Sequence, residues 1–296
     1  MSVASIGDSQ SIKNTIRNAF PFSVDKFRLF GPDYVRTNHF GLFRSDNLEC
    51  VGNACRETYH PHTVDDVVLL AQSAASVFNG DCEIQCSWRD GHIVSLAPSK
   101  EYRRTIFGTD TIWPRLLISA RYNSAFVGSL GWYRDACRNM AMLRSAGFSV
   151  SQRIRHSESL ADQLADLRDQ FSNVAAAWDG TIESLRAMDA KQVSLKEFLA
   201  EVYPLPNDAP ARTRNGHERR IEAIFSRIYN ERMKTGRGEI TASNGWQVSA
   251  WEAFNGVQGY VQHQKNRRGN PSSFDRALLA IDDQAVLKAE TLALSV

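Results

Sequence analysis

Cys82-Glu-Ile-Gln-Cys-Ser-Trp88, Arg89-Asp-Gly91 and His92-Ile-Val-Ser-Leu-Ala97 follow one another without a break. Two short segments rich in β-branched and aromatic residues read as strands, and the glycine between them supplies the positive φ that a tight turn wants. The stretch is therefore an antiparallel hairpin. A similar pattern precedes it: segments 34–44 and 48–56 flank Ser45-Asp46-Asn47. His60-Pro61-His62-Thr63 then leads into Val64, Val67, Val68, Ala71, Ala75 and Phe78, a helical stripe with Thr63 and Asp66 in capping-box positions. Downstream, 114–121 and 125–130 around Tyr122-Asn123-Ser124 make a third hairpin, and 135–146 reads as a short helix stopped by Gly147.

From Ser157 the periodicity changes. Leu160, Leu164, Leu167, Phe171, Val174 and Trp178 recur at steps of four and three, the spacing of a helix with a narrow apolar seam. That seam can bury itself against its own domain or against a second subunit. Further helices are expected at 195–202, 217–234, 250–264 and 274–293. The fold class is α+β, with antiparallel β-hairpins and packed helices in the N-terminal half and a helical C-terminal half. The expected division is a polar arm at 1–33, an antiparallel α+β domain at 34–157 and a helical region packed on it at 158–296.

The chain has 296 residues, 43% hydrophobic, 23% charged and 10% aromatic, which is the composition of an ordinary folded protein. Its longest apolar runs, such as 67–71, are far below the roughly 18–20 residues that cross a bilayer, so no membrane span is expected. The N-terminus has neither the basic start nor the apolar stretch of a secretory signal, and the five cysteines are an odd number. Both predict a cytoplasmic protein, in the host cell if the chain is phage-encoded.

The net charge of +2 conceals large local imbalances. Residues 101–156 carry nine arginines against Glu101, Asp110 and Asp135, a local +6, with Trp113, Tyr122, Trp132 and Tyr133 interleaved. Arginine's planar fork suits phosphate, and flat rings stack on unpaired bases, so this mixture fits single-stranded nucleic acid. Residues 212–237 add a second block of +5, and 158–189 an acidic block of −5. The same arginines could instead pair with internal acids, or hold a small anion.

Catalytic motifs are weak. Cys82 and Cys86 on a strand would lie about 13 Å apart and could not converge on one ion, so no metal or cofactor is expected and buried free thiols are the better reading. The adjacent acids Asp65-Asp66 and Asp282-Asp283 fall in helical patterns rather than in a nuclease-like cluster. There is no phosphate-cradling Gly-x-x-x-x-Gly-Lys-Ser/Thr loop and no Gly-x-Ser-x-Gly elbow.

Four places in order carry a family resemblance: Phe107-Gly-Thr-Asp110, Arg134-Asp-Ala-Cys137-Arg-Asn139, Arg153-Ile-Arg-His156-Ser157, and the late Trp251, Tyr260 and His263. Together they resemble the phage/plasmid-like proteins grouped as domain-of-unknown-function family 932. Ser249-Ala-Trp251 stands where members often have Thr-Ala-Trp. The resemblance implies a phage, prophage or plasmid setting and no particular reaction. The hairpins followed by a helix also look similar in outline to Rad52-like and phage annealing cores, an analogy of fold only.

The expectation is a non-enzymatic protein that binds single-stranded DNA in annealing, recombination or replication, possessing a possible homo-oligomeric state. Phosphate contacts are assigned to Arg103, Arg104, Arg121, Arg134, Arg138, Arg153 and Arg155, and base stacking to Trp132 or Tyr133. The alternative is a protein-interaction factor of a mobile element, either a host-defence inhibitor or a structural assembly component.

Overall fold

The computed structural model describes residues 2–6, 8–78, 81–98, 100–134, 139–141, 149–242, 246–266 and 271–295. In chain order the first elements are β1 (Ser2–Ile6), α1 (Ser9–Ala19), β2 (Val24–Phe30), β3 (Arg36–Arg44), β4 (Cys50–Cys55), α2 (Val64–Phe78), β5 (Cys82–Trp88) and β6 (Gly91–Ala97). Next come β7 (Arg104–Phe107), β8 (Asp110–Arg121), β9 (Phe126–Arg134), β10 (Asn139–Ala141), β11 (Val150–Ile154) and α3 (Leu160–Ala176). The remainder is α4 (Trp178–Ala190), β12 (Gln192–Ser194), α5 (Leu195–Val202), α6 (Ala211–Thr235), β13 (Gln247–Ser249), α7 (Ala250–His263), α8 (Ser273–Ile281) and α9 (Gln284–Ser295). The fold is α+β, with antiparallel strands first and helices after them.

The chain divides into two compact units, each made of three stretches. The first comprises Met1–Tyr102, Pro114–Leu130 and Val150–Ala176. Its sheet runs β1-β5-β6-β8-β9-β11, antiparallel throughout the registered pairs, and β2-β3-β4 forms a separate three-stranded sheet. The β5–β6 hairpin closes at Asp90, with φ 52°, and Gly91. Glycine is required there by a close approach, since a Cβ on Gly91 would lie 2.2 Å from the Ala120 carbonyl oxygen. Strand β5 alternates as a half-buried strand should, with Cys82, Ile84 and Cys86 in the core.

Helices α1, α2 and α3 supply the rest of that core. Thr63 and Asp66 cap α2 reciprocally: the Thr63 hydroxyl accepts from the Asp66 N–H and the Asp66 carboxylate from the Thr63 N–H. The seam of α3 is filled from inside this unit, where Leu160, Leu164, Leu167, Phe171 and Val174 pack with Val67, Leu70 and Phe78. In the stretch 1–33, expected as a polar arm, residues 2–6, 9–19 and 24–30 form elements of the fold. β1 pairs with β5, and α1 buries Ile12 and Ile16 with Phe20 beyond its C-terminus. A single apolar stripe at four-residue spacing was enough to dock an otherwise polar helix.

The second unit comprises Arg103–Trp113, Gly131–Ser149 and Ala177–Val296. Its strands β7 and β10 pair with the parts of β8 and β9 that belong to it, and β12 pairs with β13. The short helix expected at 135–146 is replaced at 139–141 by strand β10, and the rest of that span lies outside the described residues. The seam run to Trp178 breaks between α3 and α4, and the expected helix 274–293 breaks at Asp282 between α8 and α9. α7 is buried on nearly all sides and packs against α4, α5, α6, α8 and α9. α6 approaches it closely at Gly256, where a Cβ would fall 2.4 Å from Ile228 Cγ1.

Candidate nucleic-acid interface

The predicted contact residues do not share one fate. Arg134 leaves β9 pointing inward and is 1% exposed. Its Nε and Nη2 donate to the Asp110 carboxylate at 2.8 Å each, and Nη1 donates to Glu231 Oε2 at 2.6 Å. Arg227 pairs with the other oxygen of Glu231 at 3.0 Å, and Trp251 Nε1 donates to Asp110 at 3.2 Å. Trp132 is fully buried with its ring 5.7 Å from Trp251. Arg134 and Trp132 are thus corrected from strand contacts to core residues of the second unit. The reason is physical: two buried carboxylates need a cation beside them, and arginine can satisfy both at once.

This network also explains the motifs. Asp110, Arg134 and Trp251 come from three of the four places that carry the family resemblance, and they meet around one guanidinium. Ser249 heads α7 as its N-cap, accepting from the Glu252 N–H while Glu252 accepts from its own, and its hydroxyl donates to Asp189 at 2.9 Å. A hydroxyl is what the position needs, and serine supplies it. Part of the second basic block is absorbed in the same way: Arg232 pairs with Glu252 at 2.7 Å and Arg237 with Asp189 at 2.7 Å.

Of the other candidates, Arg103, Arg104 and Tyr133 belong to the second unit. The exposed Arg103 guanidinium lies 4.4 Å from the Trp113 ring centre, and Tyr133 packs 5.0 Å from that ring. Arg104 donates to the Arg103 carbonyl at 3.0 Å. Arg138 lies outside the described residues. Arg121, Arg153 and Arg155 belong to the first unit. Arg153 and Arg155 are exposed while Ile154 and His156 are buried, the alternation expected of that stretch.

Arg155 lines a cleft. The cleft, of about 630 Å³, is lined by Arg56, Thr58, Tyr59, Arg155, His156, Ser157, Glu158 and Ser159, so one carboxylate stands among its two guanidiniums. Neither Arg56 nor Arg155 forms an ion pair among the described residues. Two guanidiniums, three hydroxyl side chains besides Tyr59, and an aromatic ring make a cleft suited to a phosphate group with a flat group attached. Arg56 was missed because it follows the end of β4, 99 positions from Arg155 and with no basic neighbours.

From the half-buried Tyr59 on the cleft wall a chain of rings runs into the core, which sequence reasoning also missed. Tyr59 stacks on His156 at 4.8 Å, His156 stands 5.1 Å from His62, and His62 stacks on Tyr122 at 4.2 Å. His62 Nε2 is 3.0 Å from His92 Nδ1. The tyrosine hydroxyls fix the array, Tyr59 donating to the Tyr122 carbonyl at 2.6 Å and Tyr122 to the His62 carbonyl at 3.2 Å. Burial drives all three imidazoles toward the neutral form: His62 falls well below its usual range, with His92 and His156 adding to the effect, and His92 is pushed down to about 3. His156 is lowered by burial, against which the Arg121 carbonyl works. That carbonyl can only accept, so His156 donates from Nε2 at 2.9 Å and keeps a bare lone pair on Nδ1.

Among the described residues no group of three or more His, Cys, Asp or Glu side chains is placed to hold a metal ion. Cys82 and Cys86 are buried free thiols, and burial pushes Cys86 up to about 12. No helix among the described residues is long and apolar enough to cross a membrane.

The molecule is therefore an α+β protein that buries an Asp–Arg–Glu network in one unit and a run of histidines and tyrosines in the other. The family model described as Domain of unknown function (DUF932) matches residues 59–280, and the chain belongs to that family. No curated protein and no solved structure matches it.

Proposed function

We propose that the protein binds single-stranded nucleic acid, with the Arg56–Arg155 cleft as its phosphate-holding part, and that it assists annealing, recombination or replication of a phage or plasmid without catalysing a reaction. One observation carries this reading: two guanidiniums without ion pairs among the described residues face one open cleft beside Tyr59. Arg103 over Trp113 offers a second cation-and-ring contact. Arg134 and Trp132 have no part in it. A labelled single-stranded oligonucleotide titrated at several salt concentrations tests the reading, because each phosphate contact contributes about 0.7 to the slope of log K against log salt. Arg56→Ala with Arg155→Ala lowers that slope by roughly 1–1.5. If the folded chain binds neither single- nor double-stranded DNA or RNA at low salt, the reading falls.

A second reading, a protein-interaction factor of a mobile element, is favoured by a different observation. Phe27, Phe30, Tyr34, Val35 and Leu48 are exposed around the β2-β3-β4 sheet, whose strand β2 is an edge. That surface also supports self-association, and the mass in solution checks it. Retention of a protein partner after nuclease treatment, together with failure to bind oligonucleotides, selects this reading over the first.

A further inference from the structure

Part of the second basic block is not taken up inside the fold. Residues 211–222, the first half of α6, carry Arg212, Arg214, Arg219 and Arg220 against Glu218 and Glu222. Residues 211–216 are exposed on every side of the helix, and the first buried side chain of α6 is Ile224. A Cβ on Gly216 would have nothing within 4 Å. This half of the helix therefore stands clear of the second unit.

A helix that is polar all round needs a source of support, and here it comes from the segment that precedes it. Arg214 Nε donates to the Ala209 carbonyl at 2.8 Å, His217 Nε2 donates to the Tyr203 carbonyl at 2.9 Å, and the Arg220 guanidinium lies 4.8 Å from the Tyr203 ring centre. These anchors turn His217 and Arg220 toward the unit. At 3.6 residues per turn, the order around the opposite face is Arg212, Arg219, Asn215, Glu222, Glu218 and Arg214. Cations stand at both edges, with an amide and two carboxylates between them. Arg212 and Arg219 are exposed and form no ion pair among the described residues. Two turns separate them, about 10 Å at a rise of about 1.5 Å per residue.

The chemistry of this face selects its partner. Single strands are held by rings on which unpaired bases stack, and the outward side chains of 211–222 include no ring. Protein partners are held by large apolar or aromatic anchors, and none is exposed in 211–222. What the face offers is a free-standing rod about 10–12 Å across with guanidiniums along its edges. The major groove of B-form DNA is about 12 Å wide and admits a helix; its walls are phosphates, and its floor presents adenine to an amide and the cytosine amino group to a carboxylate. The major groove of an RNA duplex is too narrow for side chains to read.

We propose that the first half of α6 enters the major groove of double-stranded DNA, with Arg212 and Arg219 on the phosphates of one wall and Asn215 at the base edges. This goes beyond the strand-binding reading and does not rest on it, since α6 belongs to the second unit and the Arg56–Arg155 cleft to the first.

The test follows the fluorescence anisotropy of a short labelled DNA duplex, an RNA duplex of the same sequence and the single strand, each titrated with the full chain at several salt concentrations. The DNA duplex is expected to bind, and more tightly than the RNA duplex. Each phosphate contact on duplex DNA contributes about 0.9 to the slope of log K against log salt, so Arg212→Ala with Arg219→Ala lowers that slope by about 2. The same pair leaves the single-strand slope as it was. Arg56→Ala with Arg155→Ala has the reverse effect, so the two readings stand or fall separately. Arg212→Gln with Arg219→Gln removes the charges and keeps longer stems, and it serves if circular dichroism shows the alanine pair unfolded. The proposal is overturned if the folded chain does not bind the DNA duplex at low salt, if the RNA duplex binds as tightly, or if removing the two arginines leaves the duplex slope unchanged.

Discussion

Arg134 and Arg155 are the same residue type with opposite surroundings, one enclosed by two carboxylates and a tryptophan, the other open to solvent beside a cleft. Removing Arg134 leaves Asp110 and Glu231 buried without their cation, and Arg134→Ala is expected to cost about 3–5 kcal/mol, read by urea unfolding. Arg155→Ala should stay within about 0.5 kcal/mol of the parent in the same assay, while weakening oligonucleotide binding. If both variants lose stability alike, the contrast drawn between them is wrong. The sequence could count these arginines but not sort them, because what buries Arg134 comes from Glu231 and Trp251, about a hundred positions away. The histidines were hidden for the same reason: His62 precedes α2, His92 is on β6 and His156 follows β11, and they share no local motif.

At the scale of elements, hairpins and helices with strong periodicity were legible. β5 and α5 fall at Cys82–Trp88 and Leu195–Val202 as expected, and α3 begins at Leu160 with its seam buried. α1 was not legible, since its polar composition outweighs two buried isoleucines and depends on α2 for a surface to dock on. α3 answers to mutation through its packing. Leu167 is fully buried and presses on Gly128, where a Cβ would lie 2.5 Å from its Cδ2, so Leu167→Ala leaves a cavity that the sheet cannot fill. The expected loss is about 2–5 kcal/mol by denaturant unfolding. Because the seam is filled within the first unit, the mass of the protein in solution should not change with this substitution, which sedimentation checks.

Across the whole molecule, the buried imidazoles tie stability to pH. Each is held below its unfolded value near 6.5, His92 down to about 3, so between those limits the unfolded chain binds protons that the folded chain refuses. Their contribution is whole above pH 6.5 and is lost as the pH falls toward 3, with a slope of up to about 1.4 kcal/mol per pH unit for each histidine. His92→Phe should flatten the decline in unfolding free energy between pH 6.5 and 4. An unchanged slope would mean that His92 titrates normally in the folded state.

The two units interleave along the chain, each taking three stretches in turn, and β1 at the start pairs with β5, Ser2 opposite Cys86. A ribosome must therefore deliver residue 176 before the first unit has all its parts, by which time portions of the second have already emerged. A stop codon before residue 176, or one proteolytic nick between residues 103 and 176 followed by separation of the fragments, leaves neither unit whole. Selection on this protein acts on both together, and recombination between relatives cannot exchange one for the other with a single crossover.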